Sequence, residues 1–225
     1  MDFSDHPVLS PQERRERNRA EVTTAILVTA RDIMREEGAG ALNLNELARR
    51  MNMTTPALYS YFPSKFAIYD ELYRQALLLM RDYDLDVWRT YEPSWDRLRA
   101  WMKARLQFAQ EHPELYHLMF SAPVPGFTPS ESSIAETRDQ LANARQGLSE
   151  LIDSGVINPS IPTDRAVDLM LAVRHGILAE RIGKANVVPA GTDRFEHLVD
   201  DAIEILSRAW GIEDTGHFRE GGEPE

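Results

Sequence analysis

Arg14-Arg15-Glu16-Arg17-Asn18-Arg19 places four arginines among six positions, a density of fixed positive charge suited to meeting phosphate. A solvated helix face would carry the same run, and charge alone leaves both readings open. Glu111-His112 and Glu114-His117 bring carboxylates and imidazoles close together, the residue types that ligate transition metals. Pro113 interrupts any continuous helical face there, so a surface helix terminus is expected and no metal. No glycine-rich phosphate loop, Gly-x-Ser-x-Gly elbow or His-Glu-x-x-His motif occurs, so no catalytic residue, cofactor or enzyme activity is expected. Cysteine is absent, which excludes disulfides, thiolate metal sites, cysteine nucleophiles and thiol redox sensing.

These residues belong to a chain of 225 residues with 43% hydrophobic and 27% charged content, ordinary for a folded protein of one large or two small domains. Its apolar runs reach only four or five residues, as at Leu77 to Met80, far below the roughly 20 of a membrane helix. Met1-Asp2-Phe3-Ser4-Asp5 lacks the basic and apolar regions of a signal peptide, so a cytoplasmic protein without a membrane partner is expected. The net charge of −11 looks unsuited to nucleic acid until it is divided along the chain. Residues 1–65 carry nine basic and nine acidic groups, whereas residues 66–225 carry 16 and 27 and account for the whole excess. A phosphate-facing surface, if there is one, lies in the first third.

The elements that would position such a surface are helical. Val22, Ile26, Thr29 and Ile33 recur at spacings that keep one helical face. Gly38 and Gly40 stop that helix. Asn43 can cap the next, with Glu46 three residues on completing a capping-box pair, and Leu44, Leu47, Ala48 and Met51 point to a core. Asn52 tolerates the positive φ of a tight turn. Thr54 can cap a third helix with Pro56 in its first turn, Pro63 breaks that helix, and Ser64 starts a fourth. Two helices of seven or eight residues cannot stand alone in water, so the first and fourth must clamp them. Short helix, tight turn, short helix is the layout that seats a helix in a DNA major groove.

The stretch from Ile26 to Leu72 resembles the N-terminal DNA-binding domain of the TetR family of bacterial transcriptional regulators. Ala30, Gly38, Leu47-Ala48, Thr54, Leu58-Tyr59 and Tyr61-Phe62-Pro63-Ser64-Lys65 carry the resemblance. Asn43 stands where the family has a threonine cap, Met51-Asn52-Met53 replaces Ala-Gly-Val, and Phe66 replaces a common acidic residue. Each exchange keeps the local physics. The resemblance implies an all-α fold with a DNA-binding domain over residues 1–65, and phosphate contacts from Thr54, Tyr59, Tyr61 and Lys65. Lys65 would add a charge-assisted bond beside a helix N-terminus. Thr55, Pro56, Ala57 and Ser60 would face base edges. That face holds no Arg, Gln or Asn, the residues that read guanine or adenine with two hydrogen bonds. Thymine-methyl contacts from Pro56 and Ala57, DNA shape, and Asn43 or Asn45 are left as sources of specificity.

The remainder reads as a larger helical domain over residues 66–211, followed by a disordered tail over 212–225. Ser94 can cap a fifth helix that His112-Pro113 ends, and a sixth begins at once. Residues 121–129, rich in proline and glycine, form a loop. A seventh helix runs from about Ser130 to Ser154, an eighth starts near Thr163 and a ninth near Thr192. In the ninth, Leu198, Ala202, Ile205, Leu206 and Ala209 line one stripe, giving about nine helices in all.

Ala109 to Phe120, and Arg174-His175-Gly176 in the eighth helix, resemble a C-terminal class of the same regulators marked by a Trp-His-Gly motif, with Arg174 in place of the tryptophan. The resemblance implies a homodimer through helices eight and nine, a double-stranded operator and a small-molecule effector bound among helices four to eight. Trp101, Arg105, Phe108, Tyr116, Met119, Phe120, Met170, Arg174 and His175 are the candidate lining. Aromatic and methionine richness suits an apolar ligand, with Arg105, Arg174 or His175 meeting a polar group. His175 beside Gly176 reads equally as a helix-packing pair. The alternative to a repressor released by its effector is a dimeric helical carrier that binds no DNA.

Overall fold

The computed structural model describes residues 10–183 and 194–212. The reading of Met1–Asp5, the start of the ninth helix near Thr192 and the tail from residue 213 onward lie outside them. The described residues form nine α-helices and no strands, an all-α fold with an N-terminal helix-turn-helix. They group into two compact units that interleave in sequence: residues 1–78 with 112–136, and residues 79–111 with 137–225.

In the first unit, α1 (Pro11–Glu37) begins three turns earlier than its apolar periodicity indicates. Ser10 Oγ accepts from the Glu13 amide at 3.2 Å and Glu13 Oε2 accepts from the Ser10 amide at 2.7 Å, a complete capping box. Ile26, Leu27, Ala30, Ile33 and Met34 are buried, and Gly38, at φ 101°, donates its N–H to Met34 to close the helix. In α2 (Leu44–Arg50), Asn43 Oδ1 accepts from the amides of Asn45 and Glu46 at 2.8 and 3.4 Å. The expected reciprocal bond from Glu46 does not form. Arg49 and Arg50 hold that carboxylate instead and pull its pKa down to about 2, because their guanidiniums favour its ionised state.

Asn52, at φ 52°, makes the turn as expected. In α3 (Thr55–Tyr59), Thr54 Oγ1 accepts from the Ala57 amide at 3.3 Å. This helix has five residues rather than seven or eight. The Tyr61 and Phe62 amides bond back to Leu58 in a tightening turn before Pro63, which has no N–H to offer. Ser64 Oγ then caps α4 (Lys65–Thr90) through the Ala67 amide at 3.1 Å.

The segment 112–136 completes this unit. Its short helix α6 (Pro113–Phe120) packs on α1. Phe127 sits against Phe66, Tyr69 and Tyr73, with ring centroids 5.8–6.3 Å apart. Asp70 Oδ1 accepts from the Ser130 amide at 2.8 Å and the Ser133 hydroxyl at 3.0 Å, anchoring the start of α7 (Glu131–Asp153).

In the second unit, α5 (Trp95–Glu111), α8 (Thr163–Gly183) and α9 (Arg194–Trp210) pack on one another. Ser94 caps α5 as expected, accepting from the Arg97 amide at 3.1 Å. Arg97 is buried, bonds Glu150 at 2.9 Å and lies 4.4 Å from the Trp88 ring centre. Arg105 is buried and bonds Asp84 at 2.6 Å. The apolar residues of α9 divide between two directions. Phe195, Val199, Ile203, Leu206 and Trp210 are buried, whereas Leu198, Ile205 and Ala209 face outward, so Leu206 leaves the expected single stripe.

Candidate nucleic-acid interface

The exposed side of the helix-turn-helix brings together the residues that sequence reasoning selected. Tyr59, at the end of α3, is 51% exposed, which excludes a core role. Thr54, Pro56 and Ser60 are exposed, and Thr55, Ala57, Tyr61 and Lys65 are half-buried. Three polar groups are already engaged. Asn43 spends its carbonyl oxygen on the α2 cap, and Asn45 Oδ1 accepts from the Thr55 hydroxyl at 3.0 Å, tying α2 to α3. Asn43 Oδ1 accepts two bonds, whereas the exposed Asn45 accepts one on Oδ1 and keeps a second lone pair. Asn43 cannot offer adenine a donor and an acceptor together unless a capping bond breaks. Ser60 gives its hydroxyl proton to the Ala57 carbonyl at 2.7 Å. The apolar side chains on this face are Pro56, exposed, and Ala57, half-buried.

Lys65 opens α4, and its Nζ lies 5.8 Å from the Tyr69 ring centre. A lysine at this helix's first residue puts its charge beside the positive end of the helix, an arrangement that suits a phosphate. The arginine run singled out in the sequence brings a further cation to the same end of the motif. Arg19 Nη2 donates to the Ser60 carbonyl at 2.8 Å, and its guanidinium lies 5.1 Å from the Tyr61 ring centre. The spacing of Arg19 from Ile26 and Ile33, at intervals of seven, puts it on their side of α1, but it lies beyond the packed part of the helix and stays exposed.

The expected effector residues fall in both units. In the second, Trp101, Phe108 and Met170 are buried, and the buried Arg174 guanidinium lies 4.2 Å from the Trp101 ring centre. His175 is half-buried, and its pKa falls to about 4. Burial is the main cause, followed by the positive charges of Arg174 and Arg105. Gly176 faces open space, so no neighbour within the described protomer requires a glycine there. In the first unit, the rings of Tyr116 and Phe120 lie 4.8 Å apart, Tyr116 is buried, Met119 is half-buried and Phe120 is 40% exposed. A cleft of about 680 Å³ also lies in the second unit, between Tyr83 and Val87 of α4 and Lys103 and Gln107 of α5. None of the expected lining residues borders it. Burial and a bond to Glu111 push the Tyr83 hydroxyl on its wall up to about 12.

The residues near position 112 form a helix terminus with Glu111 exposed and His112 and His117 half-buried, but one of them departs from the expected surface position. Glu114 is buried and held by Arg31 and Arg35 at 2.9 and 3.1 Å. Among the described residues, no group of three or more His, Asp or Glu is placed to hold a metal, and no helix is long and apolar enough to cross a membrane.

Two family models match the chain. One, bacterial regulatory proteins of the tetR family, covers residues 26–72, and the other, a tetracyclin repressor-like C-terminal domain, covers residues 98–202. Several solved structures share the fold. A Rhodococcus sp. RHA1 protein of unknown function superposes with a TM-score of 0.70 at 21% identity, over 85% of this chain and 95% of that one. The TetR family regulator PfmR from Thermus thermophilus gives 0.60 at 22% identity, over 84% and 98%. AibR, solved with isovaleryl coenzyme A and operator DNA, gives 0.62 at 18% identity, over 81% and 96%. No curated protein matches the chain.

Proposed function

The chain belongs to the TetR family of bacterial regulatory proteins, DNA-binding transcriptional regulators that are often ligand-responsive repressors, and we propose that it is a homodimeric repressor of a near-palindromic operator. The observation that carries this reading is the outward surface of the helix-turn-helix. It combines an exposed Tyr59, a capped recognition helix and cations at Arg19 and Lys65, while the rest of the chain is acidic. An acidic carrier has no use for that surface.

The dimer reading rests on outward faces of α8 and α9. Leu169, Ala172, Gly176 and Ala179 follow at helical spacing on α8 and are all exposed, as are Leu198, Ile205 and Ala209 on α9, with Ile205 at 65%. Small residues on α8 allow a second helix pair to approach closely, and burying the isoleucine supplies apolar driving force. A twofold pairing places two recognition helices one DNA turn apart, roughly 34–36 Å.

The effector is a small, largely apolar molecule carrying a polar or anionic group. The reading assigns it to the buried Trp101, Phe108 and Met170, with the Arg174 guanidinium over the Trp101 ring and His175 in the field of Arg174 and Arg105. AibR, among the similar structures, was solved with isovaleryl coenzyme A, which shares with this reading only its short apolar acyl group, carried on a large polyanionic body. By linkage, an effector that favours the form with misplaced recognition helices lowers operator affinity by the factor through which DNA lowers effector affinity.

The test is selection of a bound sequence from random duplexes by the full-length protein, followed by fluorescence anisotropy across a salt series. A near-palindromic motif, lost in Tyr59→Ala and Lys65→Ala while sedimentation still reports a dimer, supports the reading. Ile205→Arg should yield a monomer with strongly weakened binding. Recovery of no motif, with dimer and ligand binding intact, would establish the carrier instead.

A further inference from the structure

Residues 10–21, at the start of α1, are exposed at every position, and the segment carries almost no apolar side chain. Eleven helical residues at 1.5 Å each project roughly 16 Å beyond the buried part of the helix. Apart from Arg19, which meets Ser60 and Tyr61, packing does not hold this segment in shape. Its order comes from the Ser10–Glu13 capping box and from pairs between side chains four residues apart, Gln12 with Glu16 and Arg17 with Glu21. A chain that keeps three turns of helix without an apolar face keeps them for something polar.

The charges on this segment are unequally committed. Its three carboxylates are engaged: Glu13 in the cap, Glu16 by Gln12 and Glu21 by Arg17. Among the described residues, Arg14 and Arg15 make no ion pair. Arg15 lies four positions before Arg19 and therefore on its face, about 6 Å away along the axis, whereas Arg17 lies on the far side. Two like charges at this spacing weaken a helix unless an anion lies between them. The direction of the face is fixed at one point, because Arg19 donates to the Ser60 carbonyl and stacks over Tyr61, just past the recognition helix. The Arg15–Arg19 face thus continues the surface that presents Tyr59, Tyr61 and Lys65.

We infer that the projecting start of α1 is a second DNA-contacting element, in which Arg15, aligned with Arg19, binds backbone phosphate of the duplex that the recognition helix enters. This rests on the operator-binding reading. The occupant is the same duplex rather than another acidic partner, because the basic face is continuous with the helix-turn-helix and is anchored to it through Ser60. The contact reads no bases. It adds sequence-independent affinity to a recognition helix with little polar readout of its own, in a chain with a net charge of −11.

The experiment uses the full-length protein and the selected duplex, with anisotropy titrations at several salt concentrations. Each phosphate neutralised steepens the slope of log affinity against log salt by about 0.9, so Arg15→Ala, present twice in a dimer, should make it shallower by about 1.8. Arg15→Lys should keep the wild-type slope, and Arg17→Ala should leave it unchanged. Alanine is the best helix former and the site is exposed, so circular dichroism should show an intact fold. An unchanged slope in Arg15→Ala overturns the inference. So does an equal loss in Arg17→Ala, which would mean that overall charge and not this face matters. In both cases specific binding by the parent protein leaves the repressor reading standing, whereas a parent that binds no DNA overturns both.

Discussion

Glu114 offers a sharp test of how the first unit is held together. Its side chain has no exposed surface, and both oxygens are engaged by two arginines of α1. Arg31 donates through Nε and Nη2 to Oε1 at 3.1 and 2.9 Å, while Arg35 donates Nε to Oε2 at 3.2 Å and Nη2 to Oε1 at 3.1 Å. Arg31 Nη2 also meets His112 Nδ1 at 3.0 Å, so that nitrogen accepts and the imidazole proton sits on Nε2. A carboxylate removed from water costs several kcal/mol, which this cage of charge-assisted bonds offsets.

The two sides of the cage differ in exposure, and that fixes the direction of the prediction. Arg31 and Arg35 keep 25% and 49% of their side-chain surface in water, against none for Glu114. Replacing both arginines by methionine strands a buried anion and should cost about 3–5 kcal/mol. Glu114→Gln leaves two cations that can turn to solvent, so its cost should stay near about 1–2 kcal/mol. Combining all three changes removes the stranded charge, and the triple variant should be more stable than the double arginine variant. Hydrogen exchange of α1 and α6 amides, with urea unfolding followed by circular dichroism, reads these differences. A triple variant as unstable as the double, or a Glu114→Gln cost above that of the arginine pair, would refute the argument from buried charge.

Two further outcomes follow from the second unit. His175 has its pKa drawn down to about 4 by burial and by Arg174 and Arg105, against about 6.5 when unfolded. Between those values the unfolded chain takes up a proton that the native chain refuses, so stability is full above about pH 6.5 and falls as pH drops toward about 4. His175→Gln should flatten that part of the urea-midpoint profile, and an unchanged profile would show that the imidazole is not held neutral. Gly147 allows the Trp88 ring to lie against its backbone, where an added Cβ would come within 2.6 Å of a ring carbon. Gly147→Ala should cost about 1–3 kcal/mol by overpacking and shift the tryptophan fluorescence, and a neutral change in both would refute the close contact.

What the sequence made legible is what neighbouring residues decide among themselves. Asn43, Thr54, Ser64 and Ser94 each cap the helix expected of them, and Asn52 takes the positive φ its turn requires, because a cap or tight turn spans only three or four residues. The start of α1 escaped because periodicity looks for apolar residues and this segment has none. Its signal was Ser10 with Pro11 and Glu13, a capping box that predicts a helix without predicting what the helix packs on. Glu114 escaped for a different reason. Its partners lie 83 and 79 residues earlier, and Asp70 reaches Ser130 across 60, so the return of residues 112–136 to α1 and α4 leaves no local trace.

The same distinction separates the two halves of the functional reading. DNA contact in a helix-turn-helix is set by a run of about twenty residues whose caps, turn and exposed aromatics are local, so Thr54 to Lys65 reads as a surface before any coordinates exist. An effector site is assembled from residues far apart in the chain, and single residue types do not say which neighbours they meet. Trp101 could be recognised as apolar and Arg174 as a cation, but only the packing of α5 and α8 brings the guanidinium over the indole. That contact removes Arg174 from the surface, where sequence alone would put an arginine, and makes it a buried charge beside His175. Its field then depresses the histidine's proton affinity, so the polarity of this part of the second unit is a property of the fold that no one of its residues carries.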